Sequence, residues 1–503
     1  MTNGIIMQTM KRRPAQKRSR GGIAPRVAGR DSRVSSPSSF TFADTLTPQR
    51  SSSVPDSHRI RVSYCTTCHG RLWQLAQTLF ENLDRLHEDE EIVLLDYGSP
   101  DGLSRFVESS QRCRDAMNQG RLTYVYTEAE KHHCPRAKNL AHRMGRGDIL
   151  VNLDADNSNA GMRAVIDRHF PDRIDDVVVQ MNDGAAGTFG RICIPRYWFY
   201  TLGGYDESFG PSAYQDHDLL NRAAASGLQY IWAPSDTPPP IFNTIEEKVS
   251  NTGADDWYAM LAANREISDR NLSQGRLVAN TEGWGEATVR VNFGERLSLA
   301  PILPNLISVV LRGSKRLSRV NELLELYNQM LLVGEILVVN NHPRFPIEKS
   351  ERVDSKVTVV NASGSRRPLS RVAVAAQASY PAVLLTEDRI FLPEWTLTEL
   401  HKHWWADPSI LHGVVSDAQV LAGSRRRAAP CEILSTQAML TTAYDCFRSL
   451  CYANDSVPRR SGSRGEDLLL CSAVTSVAKR PNMAYRLPVE ELSSGRHAAH
   501  PAA

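Results

Sequence analysis

Two carboxylates, Asp154 and Asp156, close an apolar run at residues 149–153 within the segment Gly147-Asp-Ile-Leu-Val-Asn-Leu-Asp-Ala-Asp-Asn157. Such a run predicts a buried strand, and the carboxyl end of a strand is where ligands bind in an open α/β sheet. Hard oxygen donors there suit Mg2+ or Mn2+, which complete their shells from water and phosphate. A divalent ion so held can bridge a diphosphate and offset the charge that grows on it as it leaves. An Asp-x-Asp also arises in ordinary surface turns, so its weight depends on its neighbours. Downstream, Gly203-Gly-Tyr-Asp-Glu-Ser-Phe-Gly210 leads into Tyr214-Gln-Asp-His-Asp-Leu-Leu-Asn-Arg222. Asp216 and Asp218 head a predicted helix. The helix dipole alone favours carboxylates there, while one of them could instead act as general base toward an acceptor hydroxyl.

The elements that must position these groups follow from periodicity. Residues 60–64 read as a first strand. Leu72, Leu75, Ala76, Leu79, Leu83 and Leu86 have helical spacing, and residues 91–96 form a second apolar run. Strand, helix and strand with a short crossover make a βαβ unit and a parallel sheet. The second run ends at Asp96, which either caps an acidic turn or accepts hydrogen bonds from a base or ribose.

In this order the motifs Leu95-Asp-Tyr-Gly-Ser-Pro-Asp-Gly102, Arg136-Ala-Lys-Asn139, Leu153-Asp-Ala-Asp-Asn157 and Gly203–Arg222 resemble the inverting glycosyltransferases of family 2, chondroitin-polymerase-like and galactosyltransferase-like, over about residues 58–295. The resemblance implies a GT-A fold and a metal-dependent transfer from a nucleotide-sugar. It implies that Asp96 contacts the base, that Arg136 and Asn139 lie near the nucleotide or diphosphate, and that Asp154 touches the ribose. Asp156 would ligate Mn2+ or Mg2+, and Asp216 would be the catalytic base. Two positions depart from the pattern. Gln215 stands where many relatives have Glu, and Asn243 stands where a metal-binding His is common, which weakens the ligand set.

After residue 300 the alternation restarts. Residues 306–311, 335–341 and 381–388 read as strands, and 318–331 as an amphipathic helix. Val338-Val-Asn-Asn341, Leu385-Thr-Glu-Asp388, Trp404–Gly413 and Gly465-Glu-Asp467 make this half similar to the C-terminal domain of exostosin-type transferases, which are retaining and also GT-A. That resemblance implies a metal ligand at Asp388, an acidic residue beside the sugar at Asp467 and a nucleotide-sugar contact at Asn341. Thr386 replaces the first of three acids, so a degenerate, glycan-binding second half stays open.

The expected fold class is therefore α/β, two tandem GT-A domains at 58–298 and 304–490, between a basic tail at 1–57 and a short tail at 491–503. The chain of 503 residues has room for both. Residues 1–57 hold ten Lys/Arg against three Asp/Glu, a net of +7, which leaves −4 on the remaining 446. This tail reads as disordered, and its Arg- and Ser-rich composition fits peripheral contact with anionic lipid or an organelle-targeting role. No nucleic-acid footprint, membrane span or secretory leader is read. Nine scattered cysteines fit a reducing, cytoplasmic setting. Cys65-Thr-Thr-Cys-His69 has c-type haem spacing but no evident second axial ligand, and the pair lacks the partners zinc needs. Trp257, Trp284, Trp404 and Trp405 either stack on sugars or pack internally. The expected partners are a nucleotide-sugar, UDP-linked, and a glycan acceptor, in polysaccharide synthesis. The rivals are a non-catalytic carbohydrate-binding protein and a nucleotidyltransferase, although Tyr64–Arg71 is not the basic, Gly-rich triphosphate loop the latter uses.

Overall fold

The structure is a computed structural model that describes residues 60–170, 176–182, 187–234, 236–313, 317–340, 347, 356–361, 369–415, 428–431, 434, 437–456 and 465–491. The expected tail at 1–57, nearly all of 491–503, and Asn341 lie outside them. The first half is built on β1 (Val62–Cys68), β2 (Glu90–Tyr97), β3 (Leu122–Thr127), β4 (Ile149–Asn152), β5 (Val177–Gln180), β6 (Ile192–Pro195), β7 (Gln229–Trp232), β8 (Ala287–Val291) and β9 (Arg296–Leu299). Their spatial order is β7-β5-β6-β4-β1-β2-β3-β8-β9. β1, β2, β3 and β4 run parallel, and β6 is antiparallel to β4. The strand order reverses between β1 and β4, and the carboxyl ends there bound the crevice where such sheets take ligands.

Continuous apolar runs form these central strands because both faces of the sheet are covered. Tyr64 and Cys68 point into one core layer, with the Leu72–Asp84 helix, while Cys65 points into the other, with the Cys134–Met144 helix. The two cysteines therefore occupy opposite faces of a central strand, both fully buried, and cannot share a metal or a haem.

The second half repeats the plan with β10 (Ile307–Gly313), β11 (Val333–Asn340), β12 (Val357–Asn361), β13 (Ala382–Glu387), β14 (Ile390–Phe391), β15 (His412–Val414), β16 (Ala428–Cys431), β17 (Ala438–Thr442), β18 (Asn482–Tyr485) and β19 (Glu490–Glu491). Its sheet runs β12-β11-β10-β13-β17-β15-β18-β16, and β14 pairs with β19 apart from it. Seven strands correspond in order, β1–β7 with β10, β11, β12, β13, β15, β17 and β18. β13 is parallel to β10 as β4 is to β1, and β17 is antiparallel to β13 as β6 is to β4. β18 runs parallel to β15 as β7 does to β5. The tandem α/β architecture expected from sequence is thus found. Among the described residues no helix is long and apolar enough to cross a membrane.

The halves meet through the Arg196–Thr201 and Glu394–Ala406 helices. Tyr197 Oη lies 3.0 Å from His401 Nδ1, and Lys402 Nζ lies 2.6 Å from Asp176 Oδ1. The Trp405 ring sits 5.5 Å from that of Tyr200, with the Arg196 guanidinium 5.7 Å over it. Trp284 and Trp404 are buried core residues, so packing is what these two rings do.

His142 and His401 are fully enclosed, and burial lowers each imidazole from 6.5 to about 3. Both are neutral in the folded chain and take up a proton near 6.5 once unfolded. The unfolded state then binds more protons in acid, so their contribution is complete above 6.5 and declines as pH falls toward about 3. We expect the midpoint of denaturant unfolding to drop over that window. His401→Gln, which keeps a polar partner for Tyr197 but cannot titrate there, should flatten the slope. A variant slope equal to the parent's would show that His401 is not held neutral.

Candidate active site

The acidic strand ends where the sequence places it. β4 stops at Asn152, and the chain then turns, with Asn157 N donating to Asp154 O at 2.9 Å. This leaves Asp154 and Asp156 half-buried at the crevice between β1 and β4. Across it, the loop after β1 turns through Gly70, at φ +64°, and brings Arg71 Nη1 to 4.0 Å from Asp156 Oδ2. The Ile241 amide donates to Asp156 O at 2.9 Å, which brings the segment carrying Asn243 against the acidic turn.

Asp216 joins this group from the far side. It lies in the first turn of the Gln215–Ala225 helix, entered through Ala213 and Tyr214, two consecutive non-glycine residues at φ +69° and +67°. A left-handed backbone costs such residues roughly 1 kcal/mol each, and that kind of strain collects at functional sites. Lys138 ties the carboxylates together: its Nζ donates to Asp216 Oδ1 at 2.8 Å and lies 3.6 Å from Asp154 Oδ1. Gln215 Nε2 donates to the other Asp216 oxygen at 2.9 Å, a bond that a glutamate in its place would not make. Gly190 leaves room for the convergence. A Cβ there would lie 3.0 Å from Asp154 Oδ2 and 3.4 Å from Asp216 Oδ2.

The electrostatics follow. Burial works against the Lys138 charge, yet Asp154 and Asp216 hold its pKa well above the ordinary lysine value. Burial likewise pushes the Asp154 carboxyl up, but Lys138, with help from Asn152 and Arg71, brings it below the usual carboxylate range. Asp156 has weaker support, from Arg71 at 4.0 Å and from Asn157 Nδ2, which donates to it at 2.6 Å. Burial, then repulsion from Asp154, raises it to about 6. It is a carboxylate that a second positive charge would stabilise. Two buried oxygens nearby have no hydrogen-bond partner among the described residues, Asn243 Oδ1 and Gln74 Oε1; both residues line a cavity of about 320 Å3 beside Arg71. The Oε1 of Gln215 is also without one. Hard oxygens short of positive partners fit a divalent cation with water and phosphate as its other ligands. Among the described residues, no three of His, Cys, Asp and Glu form a ready-made cage.

Other expected site residues lie elsewhere. Asp96 is fully buried at the end of β2, where it accepts from Ser99 N at 2.8 Å and Tyr124 Oη at 2.7 Å. Burial raises its pKa above the ordinary value. Both oxygens are thus engaged by the protein. Asn139 is equally closed off: it bonds Tyr205 N, Tyr205 O and Glu207 Oε1. It thereby pins the glycine loop, whose Gly204, at φ +66°, passes so near that a Cβ would lie 2.4 Å from Asn139 Oδ1. Arg136 is exposed and lines a separate cavity of about 360 Å3 with Tyr97, Tyr126, Glu207 and Arg290.

In the second half, Asp388 follows β13 as the acidic turn follows β4, and its amide donates to Arg312 O at 3.2 Å. Asp467 stands near the start of the Gly465–Ala478 helix, between β17 and β18, as Asp216 does between β6 and β7. Thr386 is buried within the sheet, so the acidic run begins at Glu387, which lies 3.6 Å from Arg312.

Lys138, Arg71 and Gly190 carry no expected role from sequence. Lys138 was within reach, inside the Arg136–Asn139 motif; nothing local marks Gly190.

Residues 63–186 match the family described as Glycosyl transferase family 2. No curated protein matches the chain significantly. Among solved structures, the mannosyltransferase PcManGT from Pyrobaculum calidifontis, in complex with GDP-Man and Mn2+, is 19% identical over 46% of this chain and 69% of that one, with a TM-score of 0.34. TarS 1-349 of S. aureus, in complex with UDP-GlcNAc, is 12% identical over 44% and 74%, with a TM-score of 0.32. GalNAc-T7, with UDP, GalNAc and Mn2+, is 15% identical over 37% and 44%, with a TM-score of 0.31.

Asp216 and Asp218 differ sharply in surroundings. Asp218 is fully buried, 2.7 Å from Arg222 Nε and 2.8 Å from Ser268 Oγ, and the same Arg222 holds Leu202 O and Gly204 O. Asp218→Asn should lower unfolding free energy by about 3 kcal/mol or more in denaturant titration, because it leaves a buried guanidinium uncompensated. Asp216→Asn should lose much less, since Lys138 keeps Asp154. Equal losses would contradict this division.

Proposed function

We propose that this chain is a glycosyltransferase that moves a sugar from a nucleotide-sugar, UDP-linked, to a hydroxyl of a glycan acceptor, as a hexosyltransferase of polysaccharide synthesis. The family match of residues 63–186 supports the class of enzyme. The observation that carries the chemistry is the convergence of Asp154, Asp156 and Asp216 on one crevice at the strand-order reversal.

Asp156 and Asn243 would hold a divalent cation, Mn2+ or Mg2+, which when bound offsets charge on the departing diphosphate. Asp154 orients the donor's ribose, and Arg71 lies beside Asp156 to balance phosphate charge. Asp216 takes the proton of the acceptor hydroxyl. The acceptor oxygen bonds to the anomeric carbon from the face opposite the diphosphate, and the bond to the diphosphate oxygen breaks with inversion. The unpartnered Gln215 Oε1, next to that base, is an acceptor for a sugar hydroxyl.

For the second half we propose an exostosin-like, retaining site on Asp388 and Asp467, which makes the chain bifunctional. Its support is the shared topology and the equivalent placement of these acids. The alternative is a glycan-binding half without catalysis, favoured by Thr386, which is built into the sheet, and by Glu387, which is paired with Arg312.

A screen of UDP- and GDP-sugars for Mn2+-dependent hydrolysis and transfer tests the reading. Asp156→Ala should abolish metal-dependent donor binding without unfolding the chain. Asp216→Asn should lower turnover by roughly 10²-fold or more with donor affinity little changed. Unchanged metal dependence in the first variant would remove Asp156 from the site. For the second half, Asp388→Ala should delete one linkage and Asp156→Ala another. A product pattern untouched by Asp388→Ala would leave the second half as a binding module.

A further inference from the structure

We propose that Lys138 is a positioning residue: its buried ammonium fixes the Asp216 carboxylate in the place from which it takes the acceptor proton. This rests on the glycosyltransferase reading above and adds to it a residue on which turnover depends.

The geometry leaves Lys138 little freedom. Its side chain is 2% exposed, its Nζ lies 2.8 Å from Asp216 Oδ1 and 3.6 Å from Asp154 Oδ1, and the Tyr205 ring lies 5.4 Å from it. Its helix is held at the neighbouring residue: Asn139 is bonded three times to the Tyr205–Glu207 loop. The ammonium thus reaches the carboxylates from a fixed base. With Gln215 on the opposite oxygen, Asp216 has both oxygens restrained and one orientation.

Charge explains why a lysine stands here. Asp154 and Asp216 approach the same side of Gly190. Without a cation between them, two such carboxylates repel, and the helix carrying Asp216 has no other ionic tie to the turn after β4 among the described residues. A compact ammonium fits beneath Tyr205, whereas the broader, planar guanidinium of arginine asks for a different pocket.

The second half carries one part of this arrangement, a cation at the acidic strand end. The Leu369–Ala375 helix precedes β13 as the Cys134–Met144 helix precedes β4. From it the fully buried Arg371 donates to Thr386 O at 3.0 Å and lies 3.9 Å from Glu387 Oε1. A cation delivered from the preceding helix to the acidic strand end belongs to the shared plan.

The test is a double-mutant cycle on the full chain. The donor is whichever of UDP-glucose, UDP-galactose, UDP-GlcNAc, UDP-glucuronate and GDP-mannose the parent hydrolyses fastest with Mn2+. Lys138→Met should lower kcat by about 10²-fold, with KM within about threefold of the parent. Lys138→Arg should recover part of the loss. Lys138→Met on an Asp216→Asn background should cost nothing further in kcat, because its effect on turnover runs through Asp216, while its contact with Asp154 bears on donor binding. Lys138→Gln replaces Lys138→Met in the cycle if the latter fails to fold by circular dichroism. Additive losses, or a raised KM with unchanged kcat, would overturn the proposal and leave the function intact. A parent that neither hydrolyses nor binds any of these donors would overturn both.

Discussion

Three carboxylates crowd one crevice of the first half, and the buried ammonium of Lys138 is what ties two of them together. Opposite charges less than 4 Å apart in a partly dry site interact far more strongly than in water, but only a well-bonded arrangement repays the desolvation. The surrounding structure supplies it. Asn139 locks the lysine's helix to the glycine loop, Gly204 allows the backbone to pass Asn139, and Gly190 leaves the gap in which Asp154 and Asp216 meet. Asp156, one residue beyond the compensated pair, keeps a raised pKa and with it an affinity for added positive charge.

The same layout recurs in the second half with different residues. A helix before the acidic strand delivers a cation, the strand end delivers acids, and a later helix delivers another. What changes is the balance: Glu387 stands between two guanidiniums, Arg312 at 3.6 Å and Arg371 at 3.9 Å, and Thr386 is built into the sheet, so the acidic run at that strand end is shorter. Shared topology explains why both halves place acids alike, and local charge explains why the halves need not perform alike.

Much of this was legible from sequence. The runs at 91–96, 149–153 and 306–311 are continuous and apolar because both sheet faces are buried, and each is a strand within a residue or two of its expected limits. The β8–β9 hairpin escaped notice because its strands are short, only five and four residues, and mostly exposed. Spacing brought Asp154, Asp156 and Asp216 into view but could not separate Asp216 from Asp218. That difference comes from Arg222, one turn along the same helix, and from Ser268, 50 residues further along the chain. Lys138 looked like any polar helix residue, because its partner Asp216 is 78 residues away. Asp96 and Asn139 carry family-like residue types, yet their hydrogen-bonding capacity is taken up by turns and loops of this chain.

The seam between the halves has a consequence for substitutions made in it. On one side it uses the helix after β6, and on the other the helix after β13 and β14, elements that do not correspond in the shared plan. A contact between unlike faces is head-to-tail and does not close on itself. The halves are therefore not related by a two-fold axis. A substitution at the seam in one half has no symmetry-related counterpart in the other.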